Sequence, residues 1–167
     1  MSEARVRFSG MATIVSGRTV WRLNIISSFC ALLDGCIYED EDVERVKFAY
    51  SQGHMVASHT WAHKDLTTLS AEDINSEMGR VEDALDRIIG VRPAFTRPPY
   101  GNYNDLVRKV AHSRGQKLVT WDFDSGDSTG STAAQSKKAY DKLAKMHPST
   151  VLALNHETYG VYIIVRQ

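Results

Sequence analysis

The most regular pattern of apolar residues lies between residues 74 and 88. Its members follow at intervals of four, three, four and three positions, which places them on one helical face: Ile74, Met78, Val81, Leu85 and Ile88. Ser70 and Asp73 before this stretch resemble a capping box, and Gly90 and Pro93 follow it. The pattern predicts an amphipathic helix that begins after Ser70 and ends at Gly90.

Three further helices are predicted by apolar residues that share one face. The first begins at Asp42 and ends before Gly53, the second begins at Asn104 and ends at Gly115, and the third follows Ser131. Their apolar faces are Val43, Val46, Ala49 and Tyr50; Leu106, Val107, Val110 and Ala111; and Ala134, Ala139, Tyr140 and Leu143.

Short apolar runs between these helices predict β-strands. They are Ala12–Val15, Thr19–Trp21, His54–Ser58, Phe95–Thr96, Lys117–Trp121 and Val151–Leu154, with a polar loop over Asp122–Ser131. Strands that alternate with helices indicate an α/β fold with a parallel sheet or barrel. In such folds the reactive residues gather in the loops that follow the carboxyl ends of the strands.

Composition narrows the class of protein. The chain has 167 residues, with 20 Lys+Arg against 20 Asp+Glu and a pI near 7.0. These values fit one domain with a core and argue against a nucleic-acid partner. No apolar run approaches the roughly 20 residues that span a bilayer, and no secretory signal is recognisable. Cys30 and Cys36 are too few for a disulfide framework, and both a bridge and two buried thiols remain open.

Two histidines follow the predicted strand at 54–58. His59 and His63 are four positions apart, a spacing at which two imidazoles can bind one metal ion. The alternative is a pair of capping or surface histidines. Their position after a buried strand favours metal ligands, and imidazole suits zinc, cobalt or nickel.

A rigid loop, Arg97–Gly101, follows the next strand. Its prolines restrict φ, and its glycine allows close backbone approach. Arg97 could hold a carboxylate, and a backbone N–H of the loop could bind an oxyanion. An ordinary tight turn with a surface arginine is the alternative.

Acidic residues and a further histidine follow the last two predicted strands. Asp122, Asp124 and Asp127 could bind a hard cation, or one of them could orient a histidine. His156, which comes after an apolar strand, is a candidate general acid or base, with a structural role as the alternative.

These four clusters, in this order, resemble motifs two to five of the NodB-homology polysaccharide deacetylases, carbohydrate esterase family four. His59–His63 resembles the His-Ser/Thr-x-x-His motif, and Arg97–Gly101 resembles Arg-x-Pro-Tyr/Phe-Gly. Asp124–Asp127 is similar to the Asp-x-x-Asp motif, and Leu152–His156 to Leu-x-Leu-x-His. The resemblance covers about residues 25–159 and is strongest to the fungal chitin deacetylase-like branch.

The resemblance implies a distorted (β/α) barrel and a metal-dependent N-deacetylase acting on chitin or a related N-acetylated polysaccharide. His59 and His63 would bind zinc, or alternatively cobalt, together with an aspartate of motif one. A second motif-one aspartate would be the general base, held by Arg97. The backbone N–H of Tyr100 would bind the oxyanion.

The remaining roles implied by the resemblance fall after residue 120. His156 would protonate the leaving amine, with Asp127 preferred over Asp124 as its partner. Leu154 would line the acetyl pocket, and Trp121 is placed with the substrate residues.

The sequence departs from the family pattern at motif one. Residues 1–24 contain no aspartate, and the chain is expected to be a barrel incomplete at both ends. We therefore expect an atypical N-terminal segment over 1–24 and a partial deacetylase domain over 25–167. A relative that binds a glycan or metal without turnover, and an inactive fragment, are the alternative functions. The family implies secretion or cell-wall association, and a monomer is expected.

Overall fold

The computed structural model describes residues 11–16, 19–26, 37–148 and 150–156, and within this part the chain is a mixed α/β structure. The strands are β1 Met11–Ser16, β2 Thr19–Ile26, β3 Met55–Ser58, β4 Phe95–Thr96, β5 Lys117–Leu118, β6 Phe123–Asp124 and β7 Thr150–Leu154. The helices are α1 Asp40–Ser51, α2 Ala71–Ile89, α3 Asp105–Ser113 and α4 Ala133–Lys145.

The described residues form two compact units. The central unit comprises those between Ile25 and Thr120, and the terminal unit combines those up to Asn24 with those from Trp121 onward. None of the helices in the described ranges is long and apolar enough to cross a membrane.

The central unit contains the parallel strands β3, β4 and β5 in that order, with α1, α2 and α3. Ser58 pairs with Thr96, and Thr96 with Leu118, so the ends of β3 and β4 lie side by side. This register is the reason that the loops after these two strands, which begin with His59 and Arg97, start next to each other.

Helix α2 is central to the packing of this unit because it contributes to two apolar clusters. The Ser70 hydroxyl accepts from the Asp73 N–H at its start, and Gly90 ends it with a φ of 71°. One cluster is Ile37, Val46, Val56, Trp61, Val81, Ala84 and Leu85. The other is Leu66, Ile74, Met78, Val107, Val110 and Ala111.

The terminal unit contains strands β2, β1, β7 and β6 in that order, with α4. β1 is antiparallel to both of its neighbours, whereas β6 and β7 are parallel. Helix α4 is attached to the acidic loop by Ser136, whose fully buried hydroxyl donates to the Ser125 carbonyl over 2.8 Å.

The predicted helices and most predicted strands are confirmed, and four details were wrong. The loop predicted from Asp122 contains β6, and β5 ends at Leu118 rather than at Trp121. The sheet pairing is not parallel throughout, because β1 pairs antiparallel. Three residues assigned to apolar helix faces are exposed: Tyr50 at 43%, Leu106 at 40%, and Ala134. Cys30 and Cys36 lie outside the described residues.

Candidate functional site

The two predicted metal ligands face each other in the loop after β3. The Nε2 atoms of His59 and His63 are 3.1 Å apart. His59 Nδ1 lies 2.6 Å from the Arg97 carbonyl oxygen. Because a carbonyl oxygen only accepts, Nδ1 of the neutral ring must carry the proton, which leaves a lone pair on Nε2 directed at His63.

The backbone of Arg97 makes hydrogen bonds to Ser58, the last residue of β3, and to His59, the residue that follows it. Its N–H donates to the Ser58 carbonyl over 2.9 Å, and its carbonyl accepts from His59. Its side chain is 1% exposed, and burial lowers the pKa of the guanidinium to about 10. The group therefore still carries its positive charge at neutral pH.

Left-handed backbone conformations at non-glycine residues concentrate in these two loops. Thr60 has a φ of 72°, His63 of 53° and Tyr100 of 58°. Such conformations cost roughly 1–3 kcal/mol each and persist only where surrounding contacts impose them. Among the described residues only His147 also has this feature outside the loops.

A hydrogen bond joins the residues directly after the His59–His63 loop to the residue directly after the Arg97–Gly101 loop. Asn102 donates to the Asp65 carboxylate over 2.8 Å, and Asp65 also accepts from the Thr67 hydroxyl and N–H. The Thr67 hydroxyl, followed by Asn102, lowers the pKa of Asp65 below its ordinary value. The Tyr100 ring, 64% exposed, meets the His63 ring edge to face at 5.0 Å.

In the terminal unit, His156 is bound by Asp127 at two points. Oδ1 of Asp127 lies 3.0 Å from Nδ1 of His156, and Oδ2 accepts from the His156 backbone N–H. The Asp127 side chain is 1% exposed, so its geometry is fixed by burial. Of the two aspartates considered as the partner of this histidine, the structure brings Asp127 to the ring.

Asp124 and Asp122 have other contacts. Asp124 accepts from the Gly126 N–H over 2.8 Å, within its own turn. Asp122 accepts from the Leu152 N–H over 2.8 Å and thereby continues the pairing of β6 with β7. These contacts give both carboxylates a local structural role.

Tyr140 on α4 lies beside Asn155, the residue that precedes His156. Its hydroxyl is 3.5 Å from the Asn155 side-chain oxygen, and its ring meets Phe123 at 4.7 Å. Burial, with a smaller contribution from the Asp127 and Asp124 charges, raises the pKa of Tyr140 to about 12. Of the two predicted substrate residues in this unit, Leu154 is buried and Trp121 half-buried.

Comparison with known proteins identifies the family. The sequence profile described as polysaccharide deacetylase matches residues 30–119, which include His59, His63 and the Arg97–Gly101 loop. The chain belongs to the polysaccharide deacetylase family. Chitin deacetylase 1 of Cryptococcus neoformans var. grubii is 32% identical over 134 residues, 70% of this chain and 28% of the relative.

Solved structures of the family share the fold. The chitin deacetylase of Colletotrichum lindemuthianum superposes with a TM-score of 0.69 and 24% identity over 78% of this chain and 60% of the other. The family 4 carbohydrate esterase of Streptomyces lividans, in complex with acetate, gives 0.57 and 27% over 69% and 58%. The chain thus spans less than a third of the length of the Cryptococcus chitin deacetylase and about three fifths of the length of these two solved chains.

The two imidazoles fit a divalent metal. Ligands about 2.0–2.1 Å from a tetrahedral zinc lie about 3.3 Å from each other, and the two Nε2 atoms are 3.1 Å apart. The hydrogen bond from His59 Nδ1 to a carbonyl is the contact that ligating histidines usually make with their second nitrogen. The described ranges contain no cluster of three or more His, Cys, Asp or Glu arranged as a metal site.

Sequence reasoning missed two groups that make hydrogen bonds to these loops or directly after them. One is Glu77 on α2, which accepts from the Ala62 N–H, and the other is the pair formed by Asp65 and Asn102. Glu77 lies three positions after Ile74 and four before Val81, on the apolar face of α2. A charge at such a position needs a partner, so this glutamate was a usable signal in the sequence.

Proposed function

We propose that this polysaccharide deacetylase-family chain is a metal-dependent hydrolase that removes N-acetyl groups from chitin or a related N-acetylglucosamine-containing polysaccharide. The observation that carries the proposal is the pair of facing Nε2 atoms of His59 and His63, 3.1 Å apart, with His59 fixed by the Arg97 carbonyl. The fungal chitin deacetylases among the relatives supply the substrate class.

The central unit would bind the metal and the developing charge. Bound zinc, or cobalt, would polarise the acetyl carbonyl and lower the pKa of a water molecule. Arg97 is buried and cationic, and it would hold a catalytic carboxylate. The Tyr100 backbone N–H would donate to the oxyanion, and the strained turn at this residue supports that role.

The terminal unit would handle the proton of the leaving amine. His156 would donate that proton, and Asp127 would hold the ring with Nδ1 protonated so that Nε2 carries out the transfer. Leu154 would line the acetyl pocket, and Trp121 would contact the sugar. The proposal also includes the distorted (β/α) barrel, the partial deacetylase domain over 25–167, and secretion or cell-wall association.

Acetate release from chitin oligosaccharides, with zinc or cobalt added, tests the proposal. We expect release above the rate without metal, and its loss in His59→Ala. Zinc binding measured by calorimetry should disappear in the same variant. Zinc binding that survives His59→Ala would refute the metal assignment.

A second candidate function is binding of a glycan or metal without turnover. It is favoured by the lack of any aspartate in residues 1–24, where the family resemblance places the third ligand and the general base. Measurable binding of zinc or chitin oligosaccharide, with no acetate released, would support this candidate over the enzyme.

A further inference from the structure

A buried carboxylate from α2 reaches into the loop that carries the two histidines. Glu77 is 6% exposed, and its Oε2 accepts from the Ala62 backbone N–H over 2.7 Å. Its Oε1 lies 3.8 Å from the Lys64 ammonium group. The carboxylate thus contacts the loop between His59 and His63 and again directly after His63.

This loop needs external contacts to keep its conformation. Thr60 and His63, on either side of Ala62, both have positive φ values, 72° and 53°. An L-residue adopts this region at a cost, so the isolated segment would populate other conformations. A buried carboxylate that accepts a backbone N–H between the two strained residues opposes that relaxation, because any other loop conformation would leave its charge without this donor.

We propose that Glu77 is a positioning residue of the metal site, which keeps His59 and His63 in their facing arrangement by holding the Ala62 N–H. This inference rests on the metal binding in the proposed function. Glu77 would act through the backbone and not as a ligand, since its carboxylate is engaged by Ala62 and Lys64. A purely structural role would instead change stability and leave metal affinity unchanged.

Three variants separate these roles. Glu77→Ala removes the acceptor, Glu77→Gln keeps an acceptor oxygen of the same reach, and Ser70→Ala removes only the N-cap of the same helix. Zinc affinity, measured by competition with a chromophoric chelator, should fall about 10–100-fold in Glu77→Ala, the range found for groups that orient metal ligands. Glu77→Gln should restore most of it, and Ser70→Ala should lower the melting temperature without changing zinc affinity.

Hydrogen exchange of the metal-free protein, followed by mass spectrometry, gives a second measurement. Peptides covering residues 59–63 should exchange faster in Glu77→Ala than in the wild type, and Ser70→Ala should not show this local change. Unchanged zinc affinity in Glu77→Ala, or a loss equal to that in Ser70→Ala, would overturn the proposal. If the wild type binds no zinc, the metal assignment fails by itself, and the exchange of this loop alone then supports or overturns the positioning by Glu77.

Discussion

Removal of the Glu82 carboxylate should destabilise the central unit far more than removal of an exposed carboxylate from the same helix. The Glu82 side chain is 5% exposed and accepts three hydrogen bonds. Two come from the Arg114 guanidinium, both over 2.7 Å, and one comes from the Gln116 amide over 2.6 Å. Gln116 in turn accepts from the buried Thr96 hydroxyl, next to Arg97.

The expected magnitude follows from what Glu82→Ala leaves behind. Breaking a buried ion pair by removal of one partner costs about 3–5 kcal/mol, because the other charge stays buried and uncompensated. Arg114 is 19% exposed and also donates to Asn75, so water and this neighbour relieve part of that cost. We therefore expect a loss of about 3 kcal/mol in Glu82→Ala and a smaller one in Glu82→Gln, which keeps an acceptor.

Urea unfolding followed by circular dichroism measures this change. Asp83→Ala, which removes the exposed carboxylate next along α2, is the matched control and should change the free energy of unfolding by less than about 0.5 kcal/mol. A double-mutant cycle with Arg114→Ala should give a coupling energy of about 1–3 kcal/mol. The reasoning would be refuted by a loss below about 1 kcal/mol in Glu82→Ala. It would also be refuted if the losses in the two single variants added up to the loss in the double variant.

Three further predictions concern groups near the candidate site. Asp127→Ala should lower the free energy of unfolding by about 1–3 kcal/mol, because it leaves a His156 N–H without its acceptor; an unchanged urea midpoint would contradict this. The lowered pKa of Asp65 stabilises the folded chain above the ordinary carboxyl pKa, so its contribution should vanish as pH falls through the folded pKa. Asn102→Ala should reduce this acid-dependent difference in thermal melts. Tyr140 should ionise near pH 12 in absorbance titrations compared with Tyr140→Phe, and stability should decline above about pH 10.

The helices could be predicted because their signals are local. Ser70, Gly90 and the spacing of Ile74 to Ile88 each report on residues within one or two turns, and α2 ends where they indicate. The pairing of β6 with β7 could not be predicted in this way. Phe123–Asp124 is a two-residue strand whose partner lies about thirty positions further on, so its hydrogen bonds leave no periodic pattern in the sequence.

Glu77 and Glu82 show a different limit of the apolar pattern. Each lies three or four positions from members of the apolar face of α2, and each is buried. Helical periodicity correctly places them on the inner face, but it treats a charged residue there as an exception. These buried carboxylates are tolerated because each has a partner far away in the sequence. Glu77 accepts from the Ala62 N–H, and Glu82 accepts from Arg114.

For the candidate site, the side chains of the proposed chemistry can be recognised in the sequence, whereas their arrangement depends on the backbone. Imidazoles and carboxylates can be recognised in a sequence because the chemistry requires those side chains. Peptide groups make many of the contacts in this arrangement: the Arg97 carbonyl accepts from His59, and the Ala62 N–H donates to Glu77. Every residue type has a backbone carbonyl, and every type except proline has a backbone N–H, so the residue types at positions 62 and 97 do not predict these contacts. The positioning of such a site must therefore be read from the paired ends of β3 and β4, which bring the two loops together.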